Sequence, residues 1–344
     1  MAQLSSRLPN LGLPNLGLPL ALFVALAVLH SIGAPLDVAG AVVLTRSEIP
    51  LGDVMLSPYS PVYLFLLHLW AQVSDTVLWL RALSLALAIG GLLLAPRVLR
   101  GLGGSHASSG AMWILALSPF FVEQMIAVSP SALAFVVVII ELHCFLEYLR
   151  AGEGRWLAGW LAAALVSLLV HGGLYYLVLS LGLVMIIYRE RYAGRQLLWW
   201  LAQVPPLGLF LLLFGAQFER FVVHRVVQIN APAVAIDQWG GLGSHLPDPW
   251  PLLAGGLLAV LVLTGLGICR DSRRDPCHGL LVLGALVPAV IWLVWLPHDF
   301  YAISGLPFLA VLASMGIRLY PRWGRQLAWA ALGTVYGTAH WFVG

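Results

Sequence analysis

The sequence predicts an all-α, polytopic membrane protein of about eleven transmembrane helices, with one further helix lying in the interface. Three observations predict it. Hydrophobic residues make up 60% of the 344 positions and charged residues only 10%, against roughly 25% charged in soluble domains. Apolar runs long enough for a span recur along the whole chain. Arginines cluster in every second connecting segment, as the positive-inside rule demands of a chain that crosses a bilayer repeatedly.

The apolar runs place spans at 18–36, 79–99, 109–123, 130–149, 155–172, 174–188, 196–215, 250–268, 279–297, 301–317 and 326–343. Arg7 followed by the run Leu20 to Ile32 has the pattern of a signal peptide, but it reads here as an uncleaved first span. The repeated Leu-Pro-Asn-Leu-Gly at 8–12 and 13–17 is a proline-broken lead-in at the membrane surface. The segment 61–73 is apolar but too short to span, and prolines stand at Pro58 and Pro61, so it is expected to lie in the interface. A single transmembrane domain over 1–344 is expected, with outer loops at 37–78 and 216–249 and no separate soluble domain.

Charge placement tests this arrangement. All 18 basic residues are arginine. With the N-terminus in the cytoplasm, Arg7, Arg97, Arg100, Arg150, Arg155, Arg189, Arg191, Arg195, Arg270, Arg273, Arg274, Arg318, Arg322 and Arg325 fall inside. Only Arg46, Arg81, Arg220 and Arg225 fall outside. If 61–73 crossed the membrane, every later segment would change sides and the bias would invert. The same count puts nine acids outside: Asp37, Glu48, Asp53, Asp75, Glu123, Glu219, Asp237, Asp248 and Asp299. The acidic outer face is where polar chemistry is expected. The rule that keeps arginines inside accounts for part of that asymmetry.

Other function classes find no support. There is no phosphate loop of Walker type, no metal-binding cluster and no basic nucleic-acid patch. Cys144, Cys269 and Cys277 suggest no disulfide framework. Glu141 and His143 lie inside a span, which makes them functional candidates, with a paired or snorkelling role beside Glu147 and Arg150 as the alternative.

The order of motifs carries more. Leu36-Asp37-Val38 follows the first span. Ser60-Pro61-Val62-Tyr63-Leu64-Phe65-Leu66-Leu67-His68-Leu69-Trp70 forms the interfacial segment. Leu80-Arg81-Ala82-Leu83-Ser84-Leu85 opens the second span, and Ala116-Leu117-Ser118-Pro119-Phe120-Phe121-Val122 ends the third. Val170-His171 ends the fifth, and Tyr301-Ala302-Ile303-Ser304-Gly305-Leu306-Pro307-Phe308 opens the tenth. In this order the segments resemble the integral-membrane glycosyltransferases of the GT-C type, the protein mannosyltransferase and aminoarabinose transferase group. The resemblance covers about residues 20–190 and 300–317. The chain departs from it at two places. Val38 stands where the family has a second acid, and Ile126-Ala127-Val128-Ser129 replaces its Gln-Glu-Ala-Arg.

The resemblance implies sugar transfer from a polyprenyl-phosphate donor to a glycan, lipid or protein acceptor, on the outer face of the plasma membrane. It implies a base, a cation for the leaving phosphate, and a groove for the isoprenoid tail. Asp37 is the expected base, because a carboxylate at an apolar boundary suits proton abstraction. Asp53, Glu48, Glu123 and Asp299 are secondary candidates. The scarce outer cations Arg81, Arg220, His224 and Arg225, with His68 and His171, are the donor-binding candidates; lipid headgroups are the competing partner. Tyr63, Phe65, Trp70, Phe120 and Tyr175 are the groove candidates, against an ordinary interfacial aromatic belt. No cofactor beyond the lipid-linked donor is expected, and divalent metal use stays open. An inactive, lipid-binding GT-C subunit is the alternative. A transporter would need charges deep in several spans and an inverted repeat, neither of which the sequence displays.

Overall fold

A computed structural model describes residues 16–32, 60–171, 174–229, 276–294 and 299–343, with three positions between 262 and 265. In 214–229, 288–294, 299–303 and 335–343 only the backbone is described. Regular structure among the described residues is entirely helical: α1 (Gly17–Ser31), α2 (Pro61–Ala71), α3 (Val77–Leu117), α4 (Pro119–Ile126), α5 (Ser131–Ala151), α6 (Gly154–Val170) and α7 (Tyr175–Ile187). A short 3-10 turn (Ala193–Arg195) leads into α8 (Gln196–Ile229), followed by α9 (Pro276–Val294), α10 (Asp299–Leu319) and α11 (Arg322–Val343).

Three segments among the described residues, Val77–Leu117, Ser131–Ala151 and Ala193–Leu213, are long and apolar enough to cross a membrane. Gly17–Ser31, Pro61–Ala71, Gly154–Val170 and Tyr175–Ile187 are shorter apolar helices. The expected span 250–268 lies outside the described residues but for those three positions. The helix begun at 196 runs on to Ile229, beyond the expected boundary at 215, so Arg220, His224 and Arg225 stand on a helix.

α3 organises the bundle, packing against α1, α5 and α10. A straight helix of its 41 residues would be ~60 Å long, about twice the hydrocarbon thickness. Gly104 resolves the conflict: at φ 81° and ψ 174° it leaves the helical region for one that L side chains avoid. The bend is sharp. Ser108 Oγ donates to the Pro96 carbonyl at 3.3 Å, where a straight helix would hold residues twelve apart ~18 Å from one another. The chain therefore forms two arms, as the runs 79–99 and 109–123 anticipate. The second arm stops early, however. Ser118 leaves the helix at ψ 116°, as a residue before proline must, and Pro119 starts α4. The expected span 109–123 is thus two helices with a break at Ser118.

α5 and α6 pack antiparallel across Gly152, a left-handed cap at φ 71°. Arg195 Nη1 donates to the Tyr148 and Leu149 carbonyls at 3.0 and 2.7 Å, satisfying the end of α5. Aromatic contacts tie the layers. Phe121 of α4 lies between Phe23 of α1 and Phe135 of α5, with ring centroids 5.7 and 5.0 Å away. Trp199 of α8 packs on Trp160 of α6 at 4.3 Å and Phe145 of α5 at 5.0 Å. Leu179, Leu183 and Ile186 on α7, and Leu197, Leu201 and Leu212 on α8, stay exposed, as lipid-facing side chains do.

Candidate functional site

The helices alternate in direction, so the bundle has two ends. One end gathers the close of α1, the start of α3, α4, the start of α5, the close of α6 and the start of α7. Nearly every motif of the first half of the sequence falls there.

Each piece is placed by a local rule. Ser118 Oγ accepts from the Phe121 amide at 3.3 Å, with Pro119 in the first turn, so Ser-Pro-Phe-Phe is a capped helix start. Ser131 Oγ donates to Gln124 Oε1 at 3.1 Å, joining α4 to α5. α2 begins at Ser60, a non-glycine residue in the left-handed region at φ 47° and ψ 57°. Its hydroxyl donates to the Val170 carbonyl, which holds α2 on the last turn of α6 beside His171. The other end of α2 is held by Trp70, whose indole stacks on Trp79 of α3 at 4.5 Å. Each indole also donates to the other residue's carbonyl, at 2.7 and 3.0 Å.

Among the arginines whose side chains are described, Arg81 lies at this end. It is 8% exposed, and its Nη1 donates to the Ser31 carbonyl at 3.1 Å. That carbonyl belongs to the C-terminal turn of α1, which carries partial negative charge and favours a guanidinium. Asp37 stands six residues further along the sequence.

The structure distributes the remaining candidates unevenly. Asp37, Glu48 and Asp53 lie outside the described residues. Glu123 is exposed on α4. Asp299 is the first residue of α10, with its side chain outside the description. Arg220, His224 and Arg225 lie on α8, again with backbone alone described. His68 is half-buried and lies 3.5 Å from the Gln72 amide nitrogen. His171 caps α6 with an extended backbone and is half-buried. Among the described residues no three His, Cys, Asp or Glu side chains group as metal ligands would.

Of the aromatic candidates, Tyr63 is fully buried, with its hydroxyl 3.4 Å from Ser84 Oγ. Burial pushes that hydroxyl's pKa up, against the smaller effect of Ser84, so it stays a neutral phenol. Tyr175 is buried and stacks on Phe210 of α8 at 4.5 Å. Phe65 is exposed, while Phe120 and Trp70 are half-buried. Trp79 and Phe210 were not singled out from the sequence, and Ser60 and Ser84 entered only as members of the quoted motifs. Of these, Ser60 alone carried a signal, as a serine held between Tyr59 and Pro61 at a helix start.

No family model matches the chain, and no curated protein matches it in sequence. Solved structures do. The oligosaccharyltransferase AglB of Archaeoglobus fulgidus, solved with an inhibitory peptide and a dolichol-phosphate, superposes with a TM-score of 0.62 at 11% identity. That alignment covers 94% of this chain and 55% of AglB. The same archaeal enzyme tethered to an acceptor peptide containing the NVT sequon gives a TM-score of 0.60 at 10% identity, covering 94% and 54%. ArnT of Cupriavidus metallidurans in the apo state gives 0.59 at 15% identity, covering 90% and 61%. The chain thus spans a little over half the length of the proteins it matches. The fold is that of the GT-C membrane glycosyltransferases, as the order of motifs leads one to expect.

Proposed function

We propose that the chain is a membrane glycosyltransferase that moves a sugar from a polyprenyl-phosphate donor to a hydroxyl acceptor at the outer face of the plasma membrane. The single observation that carries this reading is Arg81. It is a nearly buried arginine drawn to the last turn of α1, at the end of a GT-C fold where the ordered motifs converge. In this reading about eleven spans hold the N-terminus in the cytoplasm.

The proposed step balances without a further reactant. Asp37 takes the proton of the acceptor hydroxyl. The oxygen attacks the anomeric carbon, the bond from that carbon to the phosphate oxygen breaks, and the configuration inverts. The departing phosphate gains charge in a low-dielectric site, where Arg81 stabilises it. Arg220, His224 and Arg225 are the second choice for that role. Arg220 and His224 are one helical turn apart on α8. The dolichol-phosphate and acceptor peptide seen with the archaeal enzyme support lipid-donor and acceptor partners of this general kind.

One observation favours a second reading, an inactive GT-C subunit that binds lipid. Val38 and Ile126-Ala127-Val128-Ser129 stand where the family has charged residues. A single assay separates the two. Purified protein is given labelled polyprenyl-phosphate hexoses and pentoses with a crude lipid and glycan extract. Transfer is expected, and Asp37→Asn is expected to lower it at least ~100-fold, about 2.7 kcal/mol of barrier. Absence of transfer from folded protein with every donor would establish the subunit reading.

A further inference from the structure

The opposite end of the bundle holds a cavity that the proposed transfer does not use. It lies where α3 bends at Gly104 and where α10 passes into α11. Its volume is about 480 Å³. Arg81 and this bend are separated by ~35 Å of helix.

The lining has one electrostatic sign. Arg318, Arg325 and His106 border it, with the hydroxyls of Ser109 and Ser314 between them. No acid borders it. Two other arginines at this end are paired with acids: Arg150 with Glu147 at 2.8 Å, and Arg155 with Glu153. Among the described residues neither Arg318 nor Arg325 has such a partner. The two guanidiniums are exposed, come from different helices and border one concavity, so an anion entering it meets donors from both helices.

The floor is built for close approach. A Cβ on Gly110 would come within 2.1 Å of Ser314 Oγ and 3.3 Å of the Trp329 ring. The glycine lets α3 and α10 close beneath the arginines while Ser314, 3% exposed, stays at the contact. Trp113 and Trp329 form apolar walls, as amphipathic rings do at the headgroup level. Hydroxyl donors, forked guanidiniums and indole walls suit a tetrahedral oxyanion carrying an apolar or organic substituent.

We infer that this cavity is a binding site for a phosphate ester, reached from the arginine-rich, cytoplasmic side of the membrane. Phosphate is the shared chemistry of two sources: the headgroup of an anionic phospholipid in the inner leaflet and a soluble phosphate. Because the site is at the far end from Arg81, its binding is measured independently of any transfer activity.

The test uses the full chain. Thermal unfolding is followed in nanodiscs of phosphatidylcholine, with and without phosphatidylglycerol, and in detergent with inorganic phosphate or pyrophosphate. Phosphatidylglycerol is expected to raise Tm for the wild type and to be retained in native mass spectrometry. The double variant R318Q/R325Q is expected to bind at least ~tenfold more weakly, the loss of one charge-assisted hydrogen bond or more. Ser109→Glu, which places a carboxylate in the cavity, is expected to do the same if the double variant folds poorly. Arg322→Gln, an exposed neighbour that does not border the cavity, should behave as wild type. A response to pyrophosphate in detergent equal to that in lipid assigns the soluble source; a response confined to phosphatidylglycerol assigns the lipid. Equal responses of the wild type and both cavity variants to every anion overturn the site.

Discussion

Arg81 Nη1 lies 3.1 Å from the carbonyl oxygen of Ser31, so the first turn of α3 is tied by a charge-assisted bond to the last turn of α1. The arginine is 8% exposed and is one of four that the positive-inside count assigns to the expected outer side. Replacing it removes a bond and a charge together. Arg81→Gln is expected to destabilise the fold by ~1–3 kcal/mol and to depress transfer further than stability explains. Arg81→Lys keeps the charge but loses the planar fork, so stability should recover more than transfer does. Transfer rates per folded molecule, compared with Tm for both variants, check this. Equal rates for wild type and Arg81→Gln would remove Arg81 from the site.

Ser60 combines a left-handed backbone with a hydroxyl bond to Val170. The two features oppose each other on mutation. Ser60→Ala loses the bond and keeps the unfavourable backbone, at an expected cost of ~1–3 kcal/mol. Ser60→Gly loses the same bond but adopts φ 47° without steric cost, so it should be the more stable variant by ~0.5–1 kcal/mol. Denaturation of the two variants side by side measures the difference. The reverse order would mean that the left-handed turn carries no strain.

Gly152 is needed twice over. Its φ is 71°, and a Cβ there would come within 2.5 Å of the Arg195 guanidinium carbon. Gly152→Ala is therefore expected to cost ~1–2 kcal/mol for the backbone and more for displacing Arg195 from the Tyr148 and Leu149 carbonyls. Once Arg195 is already alanine, the second part vanishes. A double-mutant cycle should give a coupling of at least ~0.5 kcal/mol between the two positions. Simple additivity would show that the arginine does not cap α5.

Glu141 is fully buried in α5, and neither carboxyl oxygen has a hydrogen-bond partner among the described residues. Ser167 and the Trp160 indole are the polar groups nearest to act on it, and the indole nitrogen likewise has no well-aligned partner among the described residues. An acid buried without a well-aligned partner costs more desolvation than it returns. Glu141→Leu, close in volume and fully apolar, is expected to leave stability unchanged or to raise it by ~1–3 kcal/mol. A loss of stability larger than ~1 kcal/mol would show that the carboxyl is bonded in the folded protein.

The described motifs that follow the family's order along the chain, at 60–70, 80–85, 116–122 and 170–171, lie at one end of the bundle. Ser118-Pro119 was legible because proline dictates the conformation of the residue before it. Arg81 stood out in the sequence because it is one of the four arginines that the positive-inside count leaves on the expected outer side. The stop of the second arm at Leu117 was missed, since hydropathy does not distinguish a span from two helices separated by one capped turn.

By itself the sequence determined the class of fold. Composition, span-length periodicity and arginine asymmetry depend only on local transfer energies into lipid, so each is readable one segment at a time. Tertiary structure decided which residues meet. Nothing local pairs Ser60 with Val170, 110 positions away, or brings Arg318 and Arg325 to one cavity with His106. Those encounters follow from how α3 bends at Gly104 and how helices of nearly uniform apolarity choose neighbours. That choice is made by shape and by a few buried hydrogen bonds, which a hydropathy pattern does not encode.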